Sequence, residues 1–391
     1  MNGLFIVLIF AVLLYSIYSK FKIKIYGDDV YKIGVLGNDK NIIKYGSMIQ
    51  NLSKENLEIV SFEDYDLLMA AVNNKNIDYG ITYENYFIDA VLGLNSYENK
   101  IYKNLQFCTG LYFNYFQLLS NIFVKDDEFS SKFNKISEFK NFKKTYNRNL
   151  VIGTEDFKSI SFINLFILLV VFDFNPINYN KFDFTKEYND NDVFYLIDTE
   201  ENLTKKMIEN KIDALFLFRT FNDKTINYID SEKDIIYVDI DFETTYFDQL
   251  FSIYYFKNSN VLIGVDSIDD LLNKIGFQTR MSRTVMITHN SSKEDITYSI
   301  LNTIYGHNDY LTNVLTNSTQ KLDKMHNYFE PIQLAFVDKN IPLSSGSRKY
   351  FKELGFIIDQ EYIIDLLELK NNEKLKCYWK YKKIGLEKFK L

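Results

Sequence analysis

From Tyr31 onward, short apolar runs alternate with stretches whose apolar residues recur at helical spacing. Residues 33–36 and 57–60 read as buried strands, with helical spacing over 42–52 between them. Residues 64–72 predict a second helix with Leu67, Leu68 and Ala71 on one face. Polar residues 73–76 end it, and 77–82 predict the next strand. A second run opens with a short strand at 150–152 and a turn at Gly153. Residues 159–172 are apolar almost all round but too short to span a bilayer, which predicts a buried helix. A strand at 194–197 follows, then Thr199 as a helix cap with Glu200 and Glu201 at the positive helix end, then strands at 214–218 and 235–239. Strands alternating with helices imply βαβ units and a largely parallel sheet.

The two runs share a detail. Asn74-Lys75-Asn76-Ile77-Asp78 leads into a strand in the first, and Asn210-Lys211-Ile212-Asp213 does so in the second. Two similar α/β units account for the match, although so short a motif also recurs by chance. Later, Ser292 with Asp295 three residues on resembles a capping box for a helix over 293–305, and 346–354 predict one more short helix.

The two ends of the chain differ from this body. Residues 3–19 carry no charge and would form a helix about 25 Å long, followed by Lys20, Lys22 and Lys24. No basic leader precedes the run and no small-residue cleavage site or lipoprotein cysteine follows it, which predicts an uncleaved single-pass anchor over residues 1–26. The competing reading is an atypical signal peptide. Lysines on the C-terminal side would keep the body cytoplasmic by the positive-inside rule. Sequons at Asn51, Asn202, Asn290 and Asn317 would be usable only in a secretory lumen. Residues 357–391 form a separate tail, basic over 374–390 with Trp379, Tyr381 and Phe389 interleaved; it reads as a solvated or edge element, or as a membrane-surface contact.

Composition removes several classes of function. The net charge of −7 with no basic stripe argues against a nucleic-acid partner. Two distant cysteines, Cys108 and Cys377, make neither a disulfide framework nor a zinc pattern. Of the histidines His289, His307 and His326, no two stand at ligand spacing on one helix. No phosphate loop, dinucleotide fingerprint, nucleophile elbow or zinc helix is present, so neither enzyme chemistry nor a cofactor is expected.

The order of segments resembles the TAXI-type solute-binding receptors of TRAP transporters, over about residues 31–356. The resemblance is carried by KMIENKIDALFLF at 206–218, VMITHNSSKEDITYSILNTIYGHND at 285–309 and IPLSSGSRKYFKELG at 341–355. It implies a type II periplasmic-binding fold: two α/β lobes with mixed sheets flanked by helices, joined by crossing strands. Residues 28–115 with 260–356 would form one lobe and 116–259 the other. A small organic acid or amino acid would sit in the cleft on strand-end loops and helix N-termini, and the body would be extracytoplasmic or luminal. The chain departs from the family where glycines are expected. Its first loop is Gly37-Asn38-Asp39-Lys40-Asn41, its second carries Glu155 and Asp156, Arg219-Thr220-Phe221 replaces a small turn, and the prolines expected near 255–275 are missing.

Candidate ligand-binding residues follow from position. Arg219 ends a predicted core strand, where its fork of donors could clamp a carboxylate; a surface salt bridge is the plainer alternative. Lys40, Tyr83 and Asn85 lie on loops after first-lobe strands, and Thr154, Ser159 and Ser161 precede or open the buried helix, where N-capping is the plainer role. Tyr112, Tyr115 and Tyr246 could line the cleft or belong to the core. Two functions remain open: a membrane-tethered solute-binding protein, or a structural or interaction protein that kept the fold without the pocket. An open cleft with Arg219 converging on helix N-termini would favour the first. A cleft filled by Phe157, Phe221 or tyrosines would favour the second.

Overall fold

The computed structural model describes residues 29–37, 39–93, 97, 100–122, 133–156, 159–183, 185–220, 228–229, 232, 235–240, 257–261, 277–307, 310–311 and 343–354. The expected anchor over 1–26, the basic tail, Phe157, Phe221, Tyr246 and the sequon at Asn317 lie outside the described residues. Among the described residues no helix is long and apolar enough to cross a membrane.

The first unit runs β1 (Tyr31–Leu36), α1 (Lys40–Leu52), β2 (Leu57–Phe62), α2 (Tyr65–Asn73), β3 (Tyr79–Tyr83) and α3 (Glu84–Leu92). A long strand, β4 (Leu105–Ser120), leads through a short α4 (Phe142–Tyr146) to the second unit. That unit comprises β5 (Val151–Thr154), α5 (Ile160–Val171), β6 (Asn175–Asn178), β7 (Asp192–Ile197), α6 (Glu200–Ile208) and β8 (Ala214–Arg219). Then come β9 (Ile236–Tyr237), β10 (Lys257–Val261), β11 (Phe277–His289), α7 (Glu294–Gly306) and α8 (Ser345–Glu353).

The sheet order is β2-β1-β3-β11-β4-β8-β5-β7-β6, with β10 on β11 and β9 on β4. Strands β1, β2 and β3 are parallel to one another, as are β5, β6, β7 and β8. β11 is antiparallel to both β3 and β4, and β4 is antiparallel to β8. The two parallel groups therefore run in opposite directions. β4 joins them: its first part pairs with β11, its last part with β8, and Tyr115 lies opposite both Met281 and Arg219.

The shared sequence motif marks equivalent turns. Lys75 and Asn210 take the left-handed conformation at φ 61° and 58°. Asp78 Oδ2 accepts the Lys32 N–H at 2.8 Å, and Asp213 Oδ2 accepts the Val151 N–H at 2.9 Å. In each unit the strand-opening aspartate thus satisfies an end of the neighbouring strand. The repeat extends to glycines in the two central strands. A Cβ on Gly34 would meet Ile77 Cδ1 at 2.5 Å, and one on Gly153 would meet Ile212 Cδ1 at 2.7 Å. Gly153 therefore lies inside β5 rather than opening a turn, because Ile212 and Leu203 fill the space a side chain would need.

One apolar core runs under both units. It joins Ile33, Val35, Tyr79 and Ile81 to Phe116 and Leu118, and these to Ile152, Leu165, Leu168, Phe216 and Phe218. The opposite face carries separate clusters, Leu68, Val72, Phe87 and Ile287 in the first unit and Leu203, Met207, Leu215 and Leu217 in the second. α5 is apolar all round because Phe162 and Phe166 pack on Tyr195 while Leu165 and Leu168 enter the shared core. Two sequence expectations fail locally. Leu67 is 51% exposed, and the buried face of α2 is Leu68, Met69, Ala71 and Val72. Ser292 does not cap α7, whose N-cap is Lys293, because the Ser292 hydroxyl accepts a bond from Thr288 at 2.5 Å.

Candidate functional site

Because the parallel groups run in opposite directions and are offset along β4, their carboxyl ends meet near residues 112–115. β3 ends at Tyr83 beside Thr284 of β11, which itself faces Tyr112, while β8 ends at Arg219 beside Tyr115. Loops beyond the carboxyl ends of parallel strands are where α/β folds place ligands. The rings of Tyr83 and Phe218 meet edge-on at 5.3 Å, so the two ends touch.

On the first end, Asp39 dominates. Its Oδ1 accepts the N–H groups of Asn41 and Ile42 at 3.1 and 3.0 Å, capping α1, and its Oδ2 accepts the Tyr83 hydroxyl at 2.6 Å. Burial, and after it the charge of Asp39, pushes the phenols of Tyr65, Tyr83 and Tyr112 well up. Of the three hydroxyls, that of Tyr83 is bonded to the carboxylate. Tyr65 also packs on Tyr83 at 5.7 Å and stacks on Tyr86 at 4.1 Å. Lys40, the first residue of α1, is exposed, and its charge reaches Glu201 on α6 of the other unit.

On the second end, Arg219 Nη2 binds Glu155 and lies 3.4 Å from Glu200, while its Nη1 donates to the Phe218 carbonyl at 3.0 Å. Ser161 is fully buried; its hydroxyl donates to Glu155 at 2.8 Å and accepts the Phe218 N–H at 3.0 Å. Ser159 accepts the Phe162 N–H at 3.0 Å and is the N-cap of α5. Thr154, at the end of β5, is fully buried and its hydroxyl has no hydrogen-bond partner among the described residues. The same holds for Asn85 Oδ1 on α3. The buried Tyr112 hydroxyl has Thr284 as its neighbour, whose Oγ1 accepts from Asn114 at 2.9 Å.

The structure thus brings Tyr83, Lys40, Thr154, Ser159, Ser161 and Arg219 to the facing ends. Arg219 is held by the chain's own acids, and Ser159 serves as a cap. Sequence reasoning noted Asp39, Glu155 and Glu200 but gave them no part in the site; the signal was an acid one residue before a helix and two acids flanking strand ends. It also missed the buried pair behind the site, where Arg283 of β11 donates from Nε to Glu84 of α3 at 2.8 Å and from Nη2 as well. Among the described residues no His, Cys, Asp and Glu cluster could hold a metal ion.

No protein-family model matches the chain, and no curated protein matches its sequence. Among solved structures it is similar to the periplasmic binding protein BugD, at 8% identity and a TM-score of 0.42, over 92% of this chain and 98% of that one. It is also similar to XAC2383 from Xanthomonas citri bound to ATP, at 10% identity and 0.41, over 83% and 95%. A third is the amino acid ABC transporter substrate-binding protein AbpA from Streptococcus pneumoniae bound to L-arginine, at 10% and 0.36, over 74% and 93%. Likenesses this distant decide nothing about ligands. The fold rests on strand order and register: two parallel α/β groups set head to head and joined by antiparallel crossing strands, the two-lobed arrangement the sequence led one to expect.

Proposed function

We propose that this chain is a solute-binding protein of the TAXI-like, type II periplasmic-binding kind, which captures a small solute between two lobes. The lobes are residues 28–115 with 260–356 and residues 116–259, and residues 1–26 tether an extracytoplasmic body to a membrane. The observation that carries this reading is the meeting of oppositely directed carboxyl ends at residues 112–115. Tyr83, Lys40 and Asn85 serve as contacts from one side and Arg219, Thr154, Ser159 and Ser161 from the other. Of the two solute types, an amino acid suits these ends better than an organic acid. Arg219 is shared with Glu155 and Glu200, and Asp39 adds a further negative charge, so a solute with carboxylates alone meets net repulsion.

The test is thermal unfolding of the protein against amino acids, dicarboxylates and keto acids. A ligand at about 100 times its Kd adds about 2.7 kcal/mol and raises the midpoint by several degrees. A second reading, a structural or interaction protein that kept the fold without the pocket, is favoured by the Tyr83–Phe218 contact and by the engagement of Arg219. A flat response across the panel selects that reading.

A further inference from the structure

The two ends of the sheet are built differently. β6 has four residues and carries Pro176, which has no N–H to offer, so that edge is blunted. β2 closes the other end with six residues and no proline. Its register on β1 fixes where its backbone groups point. The Asn56 and Phe62 carbonyls accept the Tyr31 and Gly37 N–H groups at 2.9 Å, so residues 56, 58, 60 and 62 bond to β1 while 57, 59 and 61 face outward. Gln50 Nε2 donates to the Leu57 carbonyl at 2.7 Å. The backbone N–H and C=O groups of Ile59 and Ser61 have no partner among the described residues. An edge of this kind takes up a further strand. Its two faces differ. On the α1 side Leu57 is buried and Ile59 packs on the core; on the α2 side Glu58 is exposed. Residues 54–66 hold five acids, Glu55, Glu58, Glu63, Asp64 and Asp66, against one base, Lys54. Lys32 of β1 stands opposite Glu58 and still leaves the edge acidic.

A strand that fits this edge alternates bases with apolar residues, and the chain carries one. Residues 374–382 read Lys-Leu-Lys-Cys-Tyr-Trp-Lys-Tyr-Lys. At a period of two, Lys374, Lys376, Lys380 and Lys382 share one face, and Leu375, Cys377, Trp379 and Tyr381 share the other. We infer that residues 374–382 pair as a strand on the outer edge of β2 in the same chain, lysines on the side of Glu58 and the apolar face on the side of Leu57 and Ile59. The reach is sufficient. α8 packs on α7, α7 on α1 and α1 on β2, three steps of about 10 Å each. The 20 residues from Leu354 to Lys374 span up to roughly 66 Å. A second copy of β2 is the poorer occupant, because it sets one acidic edge against another. The pairing is independent of whether a solute binds between the lobes.

The experiment is residue-resolved hydrogen exchange on the full chain. The amides of Glu58 and Val60 bond to β1 and are slow in any case, whereas those of Ile59 and Ser61 report the outer edge alone. In the natural chain Ile59 and Ser61 should exchange at least about tenfold more slowly than in a variant with Lys374, Lys376, Lys380 and Lys382 all changed to glutamate. Unchanged protection of Val60 certifies the fold of that variant. Adding Glu58→Lys and Glu63→Lys to the reversed tail should return protection to Ile59 and Ser61. Fast exchange at both amides in the natural chain overturns the inference, and retention of that chain on phosphatidylserine vesicles through the four lysines would then assign the tail to a lipid surface. Protection indifferent to the charge reversal, or not returned by the swap, assigns the edge to another occupant and overturns it as well. Protection that rises with protein concentration places the strand on a second copy and overturns the pairing within one chain.

Discussion

Arg283 carries its charge at 1% exposure, the largest fully buried side chain among the described residues. It is stable there because Glu84 accepts from its fork at two points, which offsets the cost of leaving water. Removing one partner takes those two charge-assisted bonds from the other while its charge stays buried. Glu84→Gln should cost about 3–5 kcal/mol in urea unfolding, and Glu84→Leu with Arg283→Met should recover most of that loss. The paired glycines make a similar argument in apolar terms. Gly34→Ala drives a methyl into Ile77, and should destabilise by about 1–3 kcal/mol. Adding Ile77→Val should return part of it, so that a double-mutant cycle shows coupling. Neither feature could be read along the chain. Gly153 was visible as a glycine, but Ile212 and Leu203, which require it, lie far along the sequence and meet it only through the parallel register. Glu155 was visible as an acid hostile to a carboxylate ligand, and its bond to Arg219 depends on β5 and β8 being neighbours.

Helices were the more legible elements, because their ends are written locally. Asp39, Asp64, Ser159, Thr199 and Ser344 each accept a backbone N–H of the turn they open. Ser159→Ala should therefore cost about 1 kcal/mol of stability in chemical denaturation of the solute-free protein, as loss of a cap does. The start of α6 adds a pH-dependent contribution. Asp198 is held down to about 2 from the usual 3.8, first by Lys206, then by Asn202 and the Thr199 N–H. Its carboxylate is the favoured form in the folded chain, so this stability is full above the unfolded value and lost as pH falls through about 4 towards about 2. Asp198→Asn should flatten that part of the stability–pH curve measured by urea titration. The long β4 strand was not legible as one element. Its 16 residues change partners midway, from β11 to β8, and nothing local marks the exchange.

For the whole molecule, the core that joins Ile33 and Val35 to Phe116, Phe216 and Leu165 makes the units one apolar body on that face. Far-ultraviolet and tyrosine near-ultraviolet signals should consequently lose structure in a single coincident urea transition, whereas units with independent cores would give two. Strand–helix alternation and the duplicated Ile-Asp turn announced two α/β units from sequence. The head-to-head placement of those units is set by the antiparallel crossing strands, whose pairing is not written locally.

Those crossing strands also set an order of birth. Every strand that β8 and β5 need is present once Arg219 has left the ribosome, since β4, β5, β6, β7 and β8 all precede that point. β3 is in a different position: one edge has no partner until β11 is made, when Tyr83 at last meets Thr284. The unit translated first is therefore the last to be sealed. Until then it carries an open edge of the kind that recruits other chains, and nascent protein halted between residues 240 and 277 is where a chaperone would have most to do.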